Sequence, residues 1–278
     1  MRAVKHEYHA IGPDAVHDAV ILGAGASGLM CGLTAAGKGK TVLILDHGSK
    51  AARKVLVSGG GKCNFTNRSV SHADYVGENP QFCRSALARL TPDDLLALVS
   101  KAGIAVEERE HGQLFCKHSA ADIARLFVNA CLESGCGFGL EEKILGLERL
   151  ADNPCGARFR VLTSQGSRLA HSVVIALGGP AWPQVGASGT GFELARGLGH
   201  HIVPIRPALS GLVMPQNWTL AGLSGVPPPA SHHVVPADPP LNNPGKRIPA
   251  AKVLPPLLTH HGSNRPGALR AYPVWRQG

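Results

Sequence analysis

The sequence predicts an α/β fold built round a parallel sheet, and three apolar runs predict it. Asp18–Leu22, Val42–Leu45 and Val173–Leu177 are short and almost continuously apolar, without the polar alternation of a half-solvated strand. The first breaks into glycine at Gly23 and the third at Gly178-Gly179, where a strand hands the chain to a tight turn. The intervening elements follow in order. Ser27–Ala36 reads as a helix ending at Gly37, and Lys38-Gly39-Lys40 turns the chain into Val42–Leu45, with Asp46 at the carboxyl end of that strand. A glycine-rich loop is expected from His47 to about Ser71. Thr91-Pro92-Asp93-Asp94 has the cap, the first-turn proline and the acids of a helix start, and that helix runs to Ala102. Ala105–Arg109 and Gln113–Lys117 flank His111-Gly112 as a hairpin would. Ser119 caps a helix over Ala120–Ser134 with Gly135 as terminator. Ile144–Arg149, Arg158–Thr163 and Arg168–His171 read as antiparallel strands, and Gly191–Leu198 as a short helix.

Composition narrows the class. The chain has 278 residues, 44% hydrophobic and 17% charged, which suits a globular protein with a real core. The formal charge is +9, but lysine and arginine are scattered without a basic block, so no nucleic-acid partner is expected. Seven cysteines without a CxxC pair read as reduced thiols in a cytoplasmic protein. Met1–His17 lacks the apolar stretch of a signal peptide, and no run reaches the ~18 apolar residues of a membrane span. The adjacent histidine pairs diverge, so no metal site is expected. Asp93-Asp94 and Glu141-Glu142 read as solvated charges at element ends.

The chemistry concentrates in two glycine segments. Gly23-Ala24-Gly25-Ala26-Ser27-Gly28 follows a strand and opens a helix, with Asp46 about 20 residues on. In that setting Gly23 permits the turn, Gly25 lets backbone approach a pyrophosphate, and Gly28 lets helix and strand pack closely. The free N–H groups and dipole of the helix start, Ala24 and Ser27 included, attract the phosphates. Asp46 would accept hydrogen bonds from the adenosine ribose, and a 2′-phosphate there would meet like charge. The second segment is Ser58-Gly59-Gly60-Gly61-Lys62-Cys63-Asn64-Phe65-Thr66-Asn67. Three consecutive glycines cost chain entropy to order, so the loop calls for a ligand. Its amides, Cys63 and Asn64 would line the flavin side of an FAD, while Arg53 and Lys54 balance phosphate charge. No side-chain catalyst is assigned, because the isoalloxazine carries the redox chemistry.

Gly23–Gly28, Arg53-Lys54 and above all Ser58–Asn67 resemble the YhiN/BaiN-like bacterial flavoproteins, also called the aminoacetone oxidase family of NAD(P)/FAD-dependent oxidoreductases. Val173–Gly179 looks like that family's second strand-to-glycine segment, with Leu177 standing where the family usually has threonine. Pro183, Gly186, Ser188–Gly191, Leu198-Gly199-His200 and Pro204 to Leu209 continue the likeness, which covers about Asp18 to Gly225. The resemblance implies a Rossmann-type FAD-binding domain, with a parallel sheet and an antiparallel β excursion, interrupted by an inserted β-rich substrate domain. It also implies backbone contact between Ile144 and adenine, a place for Gly178 and Gly179 at the cofactor, and NAD(P)H or oxygen as redox partner. Family members are longer, so the FAD domain, 18–200, is expected to lack its return segment and the inserted domain to be incomplete. Residues 1–17 form an extension and 201–225 begin the inserted domain. The tail 226–278 holds 12 of the 21 prolines and a single acid, Asp238, and is expected to be poorly ordered or frame-corrupted. Three functions remain open on sequence: an FAD-dependent oxidoreductase, a truncated non-catalytic remnant of one, and an NAD-dependent dehydrogenase.

Overall fold

The structure is a computed structural model. It describes residues 15–75, 77, 79–151 and 155–205, together with the backbone pairing of 212–213, 258–259 and 262–263. The chain divides into two units, 1–202 and 203–278.

The first unit is built on a six-stranded sheet. β1 (Val16–Leu22) leads into α1 (Ala26–Ala36), which crosses to β2 (Val42–Leu45), parallel to β1 with Leu22 opposite Leu45. The chain then leaves the sheet through α2 (Arg53–Val57), β3 (Asn64–Asn67), α3 (Arg84–Arg89), α4 (Pro92–Lys101), β4 (Val106–Arg109) and β5 (Gln113–Cys116). α5 (Ala120–Glu133) brings it back to β6 (Gly137–Gly139), parallel to β2. β7 (Ile144–Arg149), β8 (Phe159–Thr163) and β9 (Gly166–Ile175) form an antiparallel meander, and β9 also lies parallel to β1. The resulting order is β6-β2-β1-β9-β8-β7, followed in the chain by α6 (Thr190–Gly197). This is a Rossmann-type fold with a mainly parallel sheet and the antiparallel excursion that the sequence predicts.

Strand pleating sorts the core to two faces. Ile21, Val42 and Ile44 pack under α1 and α5, against Leu29, Ala124 and Cys131. Val20, Leu22, Leu43 and Leu45 point the other way, against Val161 and Ala170. Val20, Ile21 and Leu22 are wholly buried, which is why their run lacks polar alternation. α1 approaches β2 so closely that a Cβ at Gly32 would fall 2.7 Å from Ile44 Cδ1. The expected helix caps are in place. Thr91 and Asp94 form a capping box with Pro92 in the first turn, and Ser119 accepts from the Ala121 amide at 3.1 Å.

Four sequence expectations change. The stretch from His47 to Ser71 is not a plain loop, because it contains α2, a tight turn at Ser58–Gly61 and β3. β3 pairs with β5, so the expected β4–β5 hairpin is two-thirds of a sheet of order β3-β5-β4. Arg168–His171 and Val173–Leu177 are one strand, since no turn residue interrupts them at Ser172 and β1 pairs along their joint length. Glu142 is not a solvated charge. It is 1% exposed, accepts from Arg168 at 3.0 and 3.2 Å, and accepts from the Thr163 hydroxyl at 2.6 Å.

His17, 2% exposed on β1, lies in the same layer as Arg168. Burial first, and then the Arg168 charge, hold its pKa below the ordinary 6.5. The folded state therefore binds fewer protons than the unfolded one between the lowered value and 6.5, so stability rises with pH across that window. Thermal melts of wild type should lose stability as pH falls through about 6.5, and the His17→Gln difference curve should show that slope removed. A pH-independent difference would show that His17 is solvated.

In the second unit, β10 (Leu212–Val213), β11 (Leu258–Thr259) and β12 (Gly262–Ser263) pair antiparallel in the order β10-β12-β11. The remaining expectations for 206–278, tail disorder and frame corruption included, lie outside the described residues, as do residues 1–14 of the extension 1–17, whose Val16 and His17 belong to β1. Among the described residues no helix is long and apolar enough to cross a membrane.

Candidate functional site

The carboxyl ends of β2, β1 and β9 converge at one edge of the sheet, where open α/β sheets bind ligands. The β1–α1 turn forms its centre. Gly23 has φ +110, and a Cβ there would fall 2.4 Å from the Ala176 carbonyl oxygen at the end of β9. A Cβ at Gly28 would fall 1.9 Å from the Gly23 carbonyl oxygen, so helix and turn touch through backbone. Gly25 differs from both. It is the N-cap residue of α1, a Cβ on it would meet nothing within 4 Å, and no side chain caps the helix. Ala24 and Ser27 sit in the same turn, so the helix start presents backbone to open space.

Asp46 fastens this turn. Its Oδ2 accepts from the Ala24 amide at 2.9 Å, and its Oδ1 accepts from the Gly48 amide at 2.8 Å. Arg53 Nη2 reaches the same Oδ1 at 3.3 Å and His47 Nε2 at 2.8 Å. Arginine only donates, so His47 Nε2 accepts and its proton sits on Nδ1, 3.6 Å from Asp46 Oδ1. Oδ1 thus carries two donors and Oδ2 one, leaving an acceptor position on Oδ2. The guanidinium offsets the like-charge argument against a 2′-phosphate. It lies between two glycines of separate loops. A Cβ at Gly48 would fall 2.4 Å from Arg53 Nε, and one at Gly186 2.9 Å from Arg53 Nη1. Lys54, the next residue, donates to the Gly179 carbonyl at 3.2 Å. The first turn of α2 therefore fastens the segment after β9 at both ends.

α2 docks on the glycine turn through the Ala52 amide, which donates to the Ala24 carbonyl at 2.8 Å. Beyond α2, Gly59, Gly60 and Gly61 have φ of +56, +66 and +83, a left-handed run that side chains resist. That run is what the triple glycine is for. Ser58 closes it, its carbonyl accepting from the Cys63 amide at 2.9 Å. Cys63 is buried, and burial pushes its thiol pKa up, which makes a poor nucleophile. Asn64 is exposed at the start of β3. Between these residues and α1 lies a groove of about 950 Å³. It starts at Ala26 and Ser27, is walled by Lys54, Ser58, Cys63 and Asn64, and continues over Val55 and Phe127 along α1 past Met30 and Thr34 to Lys38 and Lys40. Ile144 stands at the start of β7, two residues after Glu142, whose amide donates to the Asp46 carbonyl at 3.0 Å. Its half-buried side chain packs with the lower-face core rather than with the groove.

A family model described as the HI0933-like protein Rossmann domain matches residues 17–260. The chain belongs to that family. Among its relatives, the ribosomal RNA dihydrouridine synthase of Escherichia coli (strain K12) is 37% identical over 263 residues, 94% of this chain and 62% of the relative. The 3-dehydro-bile acid delta(4,6)-reductase of Clostridium scindens is 30% identical over 193 residues, 68% of this chain and 46% of that one. The chain thus spans about half to three-fifths of the length of these curated relatives. Among solved structures, the open conformation of a flavocytochrome c3 fumarate reductase superposes with a TM-score of 0.50 at 16% identity, covering 67% of this chain and 41% of that one. That likeness is one of fold. The YhiN/BaiN-like resemblance read from Ser58–Asn67 points to the same HI0933-like family.

Gly23, Gly25, Gly28, Gly178 and Gly179, with Asp46 and Arg53, lie at this edge, and Lys54, Ser58, Cys63 and Asn64 line the groove beside Gly59, Gly60 and Gly61. Missed were His47 as a partner of Arg53 and the placing of Gly48 and Gly186 against the guanidinium. His47 directly follows Asp46, and that adjacency was the available signal.

Proposed function

We propose that this chain binds FAD across the β2–β1–β9 edge and serves a flavin-dependent oxidoreductase. The observation that carries the reading is the groove. It opens at Ala26 and Ser27, one residue past the open backbone of Gly25, and reaches Ser58, Cys63 and Asn64, giving a dinucleotide room for a second, ring-bearing half beyond its pyrophosphate. The residues fit the group. Gly25 and the first turn of α1 receive the pyrophosphate, and Asp46 Oδ2 accepts one ribose hydroxyl. The left-handed turn Ser58–Gly61 and Asn64 face the ring, while Lys54 and Arg53 hold the Gly178–Gly186 segment alongside. When bound, FAD supplies two-electron transfer through its ring. The chain's own contribution is binding, orientation and a largely apolar wall that keeps water from the ring's flank.

The two relatives' names both denote saturation of a ring carbon–carbon double bond conjugated to a carbonyl, so we assign this chain to reductive chemistry on such a bond, with NAD(P)H as electron donor. The scattered charge, without a basic block, favours a small-molecule substrate over a nucleic acid, and the E. coli relative's name makes RNA the contrasting case. The purified chain should be yellow, with a flavin band near ~450 nm. A folded, colourless preparation that takes up no added FAD sinks the reading. NAD(P)H oxidation measured with a cyclic enone and with a uridine-containing RNA oligomer decides the substrate class: turnover of the RNA alone would overturn the small-molecule assignment.

A further inference from the structure

We propose that Trp182 is a stacking platform for the adenine ring of the nucleotide held at Asp46, an inference that rests on the dinucleotide reading of the β1–α1 turn. Trp182 has φ 69 and ψ 63, a left-handed conformation that a bulky side chain keeps only where its surroundings impose it. The imposing contacts are on both sides. Lys54 holds Gly179 through its carbonyl at 3.2 Å. Gly186 lies against His47 and Arg53, so closely that a Cβ there would fall 2.5 Å from His47 Nε2. Between these anchors the Val185 amide donates to the Trp182 carbonyl at 3.2 Å, and the Gly186 amide to the Pro183 carbonyl at 2.9 Å. That tight turn keeps Trp182 within one turn of Gly186, and so beside the Asp46-His47 strand tip.

The ring is not spent on the core. Trp182 remains 51% exposed and belongs to none of the buried clusters. A strained backbone that presents an aromatic side chain to solvent, held at one end by Lys54 and at the other by the His47 and Arg53 that flank Asp46, is explained by a planar ligand. The adenine side is indicated over the flavin side because Gly186 abuts His47, whereas Ser58 and Asn64 lie along the groove beside α1.

ADP titrated into the full chain tests this, with isothermal titration for affinity and tryptophan emission for contact. Trp182 is one of three tryptophans, with Trp218 and Trp275. ADP should quench wild-type emission, and Trp182→Phe should abolish the quench while holding affinity within about twofold, since a smaller ring still stacks. Trp182→Leu should weaken ADP about tenfold, the order that base–aromatic stacking supplies. Trp182→Gly removes the ring but accepts the left-handed backbone, so it should bind as weakly as the leucine variant without a lower Tm. Unchanged ADP affinity in the leucine and glycine variants overturns the proposal, as does a wild-type chain that ignores ADP. Wild type that binds ADP but not FAD would refute the flavin reading and leave the tryptophan series decisive. FAD binding with normal ADP affinity in Trp182→Leu would do the reverse.

Discussion

Gly25→Val should leave the chain folded and cost it FAD affinity by at least about a hundredfold. Gly25 has φ −81 and ψ −176, extended backbone open to any residue, and its Cβ would meet nothing within 4 Å. The fold thus asks nothing of glycine there. A pyrophosphate drawn to the start of α1 does, because the isopropyl group would stand between phosphate and amides, removing several charge-assisted hydrogen bonds of about 1.5–3 kcal/mol each. Gly28→Ala should show the opposite pattern. Its Cβ would fall 1.9 Å from a backbone oxygen, so the turn itself must move, at a cost of about 3 kcal/mol or more. Thermal melts with flavin retention after gel filtration separate the two: Tm unchanged and flavin lost for Gly25→Val, Tm lowered for Gly28→Ala. Full flavin retention by Gly25→Val would mean that the nucleotide does not lie over α1.

The same contrast explains how far the sequence was legible. The parallel strands could be read because burial on both faces leaves an unbroken apolar run, as at Val20, Ile21 and Leu22. The helix starts could be read because a cap is local: Thr91, Pro92 and Asp94 carry their own geometry. Ser58–Gly61 was legible as a demand for unusual backbone, which the three left-handed glycines meet. What escaped depends on partners distant in the chain. β3 is four residues long, and its identity as a strand comes from β5, nearly fifty residues on. Arg53 showed a charge but not its destination, because Gly48 and Gly186 meet round the guanidinium only once β2 and β9 are assembled. A stretch read as free loop was in fact the clasp of the site. Glu142 escaped for the same reason. Its partner stands 26 residues away on another strand, so a buried acid read as a solvated one.

That acid carries the largest expected loss of stability. Glu142 is 1% exposed and receives two hydrogen bonds from Arg168 and one from Thr163. Gly139 makes room for it, since a Cβ there would fall 2.5 Å from Glu142 Oε2. Removing the carboxylate leaves the Arg168 charge in a side chain only 18% exposed, and breaking such a pair costs about 3–5 kcal/mol. Glu142→Ala should therefore lower the unfolding free energy by that amount, read as a lower urea midpoint at unchanged m, a large share of the roughly 5–15 kcal/mol a domain has. Glu142→Gln retains polar contacts to Thr163 and Arg168 and should lose less, about 1–3 kcal/mol. The double change Glu142→Leu with Arg168→Met should recover most of the loss, because the penalty lies in the orphaned charge more than in the missing attraction. The site feels it as well. The Glu142 and Glu141 amides donate to the Asp46 and Gly48 carbonyls at 3.0 Å, so a loosened 139–143 turn also loosens the strand tip that carries Asp46. FAD affinity should fall in Glu142→Ala and return in the double variant along with stability. A cost below about 1 kcal/mol would instead mean that water reaches the pair and that the turn is held by its backbone alone.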